Sequence, residues 1–218
     1  KTNSQYGTLS SILGGESNLI SMGSCRSTIG GGLCNTLSSF ADSSFIGGGR
    51  SNQVISADAS IVGGRLNTAS GVTSFVGGGF CNSNSGYYSV IGGGCENTLT
   101  GNRSSIIGGQ SNTISGGYAY HAIIGGCCNT ISAYSYSTIG GGTCNTISGT
   151  YSSILSIGTG FKNSISGNYT GYHTIVSGFC NSISGDYKQY NTIINGSNNK
   201  TSGDYSFIGN GSRNTASA

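Results

Sequence analysis

A β-branched aliphatic residue returns along this chain every 15 to 18 residues, always six positions ahead of an Asn. The aliphatic column is Ile12, Ile29, Ile46, Ile61, Val76, Ile91, Ile106, Ile123, Ile139, Ile157, Ile175, Ile193 and Ile208. Its Asn partners are Asn18, Asn35, Asn52, Asn67, Asn82, Asn97, Asn112, Asn129, Asn145, Asn163, Asn181, Asn199 and Asn214. A period this short marks a solenoid, in which each repeat is one coil and stacking the coils buries the repeated apolar position. Two positions after the Asn the chain is again mostly apolar, as at Ile114, Ile131, Ile147, Ile165 and Ile183, with Thr or Ser between and beyond. That in-out-in-out alternation predicts a short strand with Asn and Ile facing inward. The clearest copy, YSTIGGGTCNTISG from Tyr136 to Gly149, supplies the second strand as Tyr-Ser-x-Ile.

Three positions before the Asn stands Gly in all thirteen copies, from Gly15 to Gly211. Only a positive φ or a close backbone approach is so strict about Gly. The extra residues of the longer repeats all fall between the Ser-Gly turn and the next aliphatic, where a loop absorbs them. The expectation is therefore an all-β fold: a β-solenoid, or β-roll, of about 13 coils with two short strands per coil. It reads as a single domain over residues 1–218 without evident caps. At the strand spacing of ~4.8 Å, thirteen coils make a rod on the order of 60 Å long.

Composition narrows the classes. Only 7% of residues are charged and 41 are Gly, yet the periodic Ile and Val exclude a disordered low-complexity chain. The net charge of +3 is spread over Lys1, Arg26, Arg50, Arg65, Arg103, Lys162, Lys188, Lys200 and Arg213, with no cluster to track a phosphate backbone. Nucleic acid is not an expected partner. No apolar run reaches the ~20 residues of a membrane span, and no signal peptide opens the chain, which fits a mature secreted protein.

Eight cysteines add a candidate staple. Cys34, Cys81, Cys128, Cys144 and Cys180 stand immediately before the column Asn, and Cys25, Cys95 and Cys127 lie elsewhere. Cys128 and Cys144 fall on successive coils, within reach of a disulfide; small side chains filling a tight turn account for the column equally well. Neither a CxxC pair nor a nearby His completes a zinc site, and no cofactor is implied. The carboxylates Glu16, Asp42, Asp58, Glu96, Asp186 and Asp204 are scattered over different coils, and His121 and His173 are three coils apart. No catalytic constellation emerges, so the chain is read as a non-enzyme. Asp186 and Asp204 occupy equivalent corners of adjacent long coils and are read as solvated corner residues.

The Asn column itself reads as a buried amide ladder. Glycosylation sequons stand at Asn102, Asn168, Asn195, Asn199 and Asn210. Tyr88, Tyr120, Tyr136, Tyr172, Tyr190 and Tyr205 share the position nine before the Asn, and Tyr87, Tyr118, Tyr134, Tyr151, Tyr169 and Tyr187 share the preceding corner. Such an aromatic stripe suits carbohydrate binding, lateral packing of rods, or packing within the corner. The pairs Thr98 and Thr100, Thr113 and Ser115, Thr130 and Ser132, and Thr146 and Ser148 form an outward hydroxyl array. Regular arrays of this kind resemble ice-binding faces, although Gln53, Ser164, Ser182 and Lys200 interrupt this one.

The motif x-Ser-x-Ile-Gly, a small-residue strand and Ser-Gly, running over essentially the whole chain, resembles the head repeats of trimeric autotransporter adhesins, the YadA-like left-handed β-roll. The resemblance implies an extracellular or cell-surface location and a fibre or adhesive head. The expected function is a structural subunit of an extracellular filament or adhesive appendage, homo-oligomeric as an end-to-end filament or a trimer, with glycans or a cell surface as further partners. Ice binding through the Thr/Ser face, or carbohydrate binding by an adhesin head, is the alternative.

Overall fold

In a computed structural model the described residues are 2–117, 120–134, 136–151 and 154–217; Lys1 and Tyr118 of the positions named above lie outside them. The described residues hold 27 short strands and no helix, and every strand pairing is parallel. They group into two compact units, Lys1–Gly108 and Gly109–Ala218. In the first unit one sheet runs from Ser4–Gln5 to Thr98–Leu99 and a second from Ser11–Ile12 to Ser105–Ile106, with the strands alternating between them along the chain. The second unit repeats this with Thr113–Ile114 to Thr215–Ala216 and His121–Ile123 to Phe207–Ile208. The result is the expected β-solenoid, about 13 coils with two short strands in each.

Both aliphatic columns face inward. Ile29, Ile46, Ile61, Val76 and Ile91 are fully buried in the first unit, as are Ile123, Ile139, Ile157, Ile175 and Ile193 in the second. Opposite them lie Ile20, Leu37 and Val54, and then Ile114, Ile131, Ile147, Ile165 and Ile183. Each such side chain withdrawn from water contributes about 1.5–3 kcal/mol, and a strand of two residues has little else to hold it. The register is strict: Thr113 pairs with Thr130, and Ile114 with Ile131.

The Gly turn carries more structure than the sequence suggests. The residue two before the Asn forms a parallel bridge with its equivalent on the next coil, for example Leu33 with Arg50 and Phe161 with Phe179, which makes a third ladder. All thirteen column glycines have φ between 81° and 115°. At Gly126 an added Cβ would sit 2.1 Å from the carbonyl oxygen of Gly142. Conformation and close approach both exclude a side chain there.

The residue just before the Asn is left-handed as well, with φ of 53–60° in every coil, although Cys, Ser, Leu, Glu, Lys, Asn and Arg all occur there. This turns its N–H back toward the preceding coil, as when Cys128 N–H donates to Gln110 O at 2.9 Å. The residue ahead of it points the other way, Cys127 N–H donating to Gly142 O at 2.9 Å. Axial hydrogen bonds in both directions offset a backbone strain of roughly 1–2 kcal/mol per left-handed residue.

The Asn column is buried as expected, but its main work is on the backbone. Asn35 Oδ1 accepts the N–H of Asn52 at 3.0 Å, and its Nδ2 donates to Gly31 O at 2.9 Å and Gly49 O at 3.0 Å. Amide-to-amide links of 3.1–3.2 Å join only part of the column, as from Asn67 to Asn52 and from Asn145 to Asn129. Asn3 extends the column without the rest of the motif, its Oδ1 accepting the N–H of Asn18 at 2.9 Å.

A second axial ladder stands eight residues before the Asn. Ser10 Oγ accepts the N–H of Ser27, Ser27 Oγ that of Ser44, and Ser44 Oγ that of Ala59, at 3.0–3.2 Å. His173 and Asn191 take over this position in the second unit: His173 Nδ1 accepts the N–H of Asn191 at 3.2 Å, and Asn191 Oδ1 that of Ser206 at 2.9 Å.

Candidate interaction surface

The tyrosine columns are the most distinctive exposed feature, and the second unit stacks them ring on ring. Tyr134, Tyr151, Tyr169 and Tyr187 form a continuous ladder with centroid separations of 5.9, 5.0 and 5.2 Å and interplanar angles of 23°, 14° and 1°. A second ladder, Tyr172, Tyr190 and Tyr205, has separations of 5.2 and 5.3 Å, and Tyr120 stacks on Tyr136 at 5.5 Å. Three members of the first ladder, Tyr151, Tyr169 and Tyr187, stand at the longer corner of the 18-residue repeats with φ of 52–59°, and Tyr134 adds the corner of a 16-residue repeat. All of these rings are exposed.

The acidic corner residues are not simply solvated. Asp186 Oδ1 accepts the N–H of Asn168 at 2.7 Å, and Asp204 Oδ1 that of Gln189 at 2.9 Å. Asn168 Oδ1 does the same for Thr150 N–H at 3.1 Å, and Asn102 Oδ1 for Tyr87 N–H at 2.9 Å. Corner carboxylates and amides thus cap the coil before them, a role the sequence signals only as Asp or Asn after Ser-Gly or, at Asn102, after Thr-Gly. Lys188 lies 3.6 Å from Asp204 on the surface, where such a pair is worth little.

Of the sequons, Asn168, Asn195 and Asn210 are exposed and Asn102 is half-buried. Asn199 is a correction. It is fully buried, with Oδ1 accepting from Asn214 N–H and Nδ2 donating to Asn195 O and Gly211 O, so its amide nitrogen has no path to a glycan in the folded chain.

All eight cysteines are free thiols. The Sγ atoms of Cys127 and Cys128 are 3.0 Å apart, and the hydrogen bond with Cys127 pushes the Cys128 thiol up, against an opposing bond with Cys144. Among the described residues no group of three or more His, Cys, Asp or Glu could hold a metal ion. His121 and His173 are buried in the serine column rather than exposed, and they do not share a site. Burial lowers His121 to about 4, opposed by a backbone hydrogen bond with Ala133. It lowers His173 too, opposed by a backbone bond at Tyr172 and by Asp204.

On the hydroxyl face, Thr113, Thr130 and Thr146 stand in register, as do Ser132 and Ser148. The three threonines are half-buried, with their neighbours Ser115 and Ser132 exposed. No helix of the described chain is long and apolar enough to cross a membrane. Comparison with protein-family models and with the curated proteins finds no match to this chain.

Proposed function

We propose that this chain is a non-enzymatic structural protein, a stretch of an extracellular filament or adhesive surface appendage whose product is a regularly repeated surface. The carrying observation is the exposed ladder Tyr134, Tyr151, Tyr169 and Tyr187, in which one side chain recurs coil after coil at separations of 5.0–5.9 Å. Exposed aromatic columns are rare on surfaces that meet only water, and stacked phenols beside Ser and Thr suit a neutral glycan or a second rod. The interior supports the same reading, since its polar columns, Asn and Ser, are committed to axial backbone hydrogen bonds. Self-association, as a filament or as a trimer, places many such ladders on one particle. An extracellular setting also favours oxidation of Cys128 and Cys144 to a bridge between successive coils.

Electron microscopy and light scattering at micromolar protein, with binding to immobilised glycans, test this. Filaments or trimers, or glycan capture weakened by Tyr169→Ser, are expected. A strictly monomeric protein that captures no glycan rejects the reading. The registered threonines favour one second reading, ice binding. Thermal hysteresis abolished by Thr113→Tyr and Thr130→Tyr would establish it.

A further inference from the structure

From the stacking of exposed phenols on successive coils we propose that Tyr151–Tyr169 and Tyr169–Tyr187 are oxidative cross-linking sites, which a one-electron oxidant of the haem-peroxidase class, with hydrogen peroxide, converts to dityrosine. The rings of Tyr151 and Tyr169 lie 5.0 Å apart at 14°, and those of Tyr169 and Tyr187 5.2 Å apart at 1°. Exposures of 66%, 52% and 71% leave all three phenols open to an oxidant, while the backbones of Tyr169 and Tyr187 are fixed by axial hydrogen bonds. Tyr169 N–H donates to Thr150 O at 2.8 Å, and Tyr187 N–H to Asn168 O at 2.9 Å.

The chemistry balances within each pair. Each phenol gives one electron to the oxidant and its hydroxyl proton to water, leaving two phenoxyl radicals. These join through a new bond between ring carbons ortho to oxygen, and each ortho hydrogen then moves to its oxygen to restore the aromatic ring. Two tyrosines lose two hydrogens in all, and one hydrogen peroxide is reduced to two waters. Holding the partners on adjacent coils makes the coupling effectively unimolecular, so it outruns coupling between chains at low concentration. The product is a covalent staple parallel to the axial hydrogen bonds of the same corner. This inference is independent of whether the chain forms filaments or captures glycans.

Trypsin separates the two pairs: cleavage after Lys162 places Tyr151 and Tyr169 on different peptides, whereas Tyr169 and Tyr187 stay on one peptide, residues 163–188, where their coupling reads as a loss of two hydrogens within that peptide. The purified chain is treated with a haem peroxidase and hydrogen peroxide, denatured, reduced and digested. A joined peptide lighter by two hydrogens, with dityrosine fluorescence, is expected, and its yield per chain holds over a roughly tenfold dilution. Tyr169→Phe and Tyr151→Phe, which keep the ring and the fold, remove it. Three results would overturn the proposal: neither a joined peptide nor a 163–188 peptide lighter by two hydrogens, equal yield from urea-unfolded protein, or joined peptides of mixed isotope when labelled and unlabelled chains are oxidised together.

Discussion

The side-chain oxygen of Asn129 accepts the main-chain N–H of Asn145, one coil further on, at 3.0 Å. Its amide nitrogen meanwhile donates to Gly125 O at 3.1 Å within its own coil and to Gly142 O at 3.0 Å on the next. One fully buried side chain therefore satisfies the Asn145 N–H and Gly125 O, and adds a second donor to Gly142 O, which also accepts the Cys127 N–H. Asn129→Ala leaves the Asn145 N–H and Gly125 O unpaired, while Gly142 O keeps the Cys127 N–H, and it is expected to cost about 3 kcal/mol, read as a lower urea midpoint. Asn129→Asp keeps the acceptor but faces two carbonyls with a carboxyl group, which burial and those oxygens hold protonated. Its folded pKa then lies above the unfolded value, so the variant's loss relative to wild type grows as pH rises past ~4. Urea melts of both proteins at several pH values check the sign.

Adjacent glycines in one turn should respond to very different extents. At Gly126 φ is 89° and an added Cβ meets Gly142 O at 2.1 Å, whereas at Gly125 nothing lies within 4 Å. Gly126→Ala is expected to cost about 2–4 kcal/mol and Gly125→Ala less than about 0.5 kcal/mol. Equal thermal shifts for the two variants would remove the close approach as the reason for the Gly column.

The columns with one permitted chemistry are the ones the sequence displays. Ile, Gly and Asn recur because a buried stack tolerates only an aliphatic, a backbone contact only Gly, and a paired donor and acceptor only the carboxamide. The left-handed residue before the Asn escapes notice because its side chain points outward, so Cys128, Lys162 and Arg213 serve equally. The acceptor ladder is half visible: Ser27 and Ser44 announce it, while His173 and Asn191 accept the same N–H with another chemistry. Burial of the sequon residue Asn199 follows from its column position, a constraint that the three-residue sequon does not encode. The tyrosine columns are legible as positions, but their ring stacking depends on the side-chain geometry at each corner, which the spacing alone does not encode.

Acid should weaken the fold through His121. Burial brings its folded pKa to about 4 against an unfolded value near 6.5. Between these values the unfolded chain binds a proton that the folded chain does not, so stability falls as pH drops through that window and levels off below about 4. His173, also lowered by burial, adds to the same slope. His121→Ser, which restores the residue usual in that column, is expected to flatten the dependence, and His121→Ser with His173→Ser to flatten it further. Urea midpoints from pH 7 to pH 4 provide the measurement; a slope unchanged in the double variant would place the acid sensitivity elsewhere.

Glycan occupancy should separate the sequons by burial. When the chain is secreted from a glycosylating host, Asn168, Asn195 and Asn210 are able to carry sugar on a folded surface, whereas a glycan on Asn199 displaces the Nδ2 donation to Asn195 O and Gly211 O. Peptide mass spectrometry of the folded, protease-resistant fraction is expected to find Asn199 unmodified. A folded fraction occupied there would show that the last coils open without cost.

Thr201 occupies a position where the preceding coils carry Ile183 and Ile165, pairing in register with Ile183 on one side and Ala216 on the other. It is fully buried, and its Oγ1 has no hydrogen-bond partner. A hydroxyl in that setting has given up water without replacement, which costs about 1–3 kcal/mol. Thr201→Val keeps the branched shape and removes the unpaired oxygen. It is expected to stabilise the protein by about 1 kcal/mol, seen as a higher urea midpoint with an unchanged slope. Thr201→Ser keeps the hydroxyl and loses the methyl group, so it is expected to destabilise. A loss of stability in Thr201→Val would mean that the hydroxyl is bonded by a buried water.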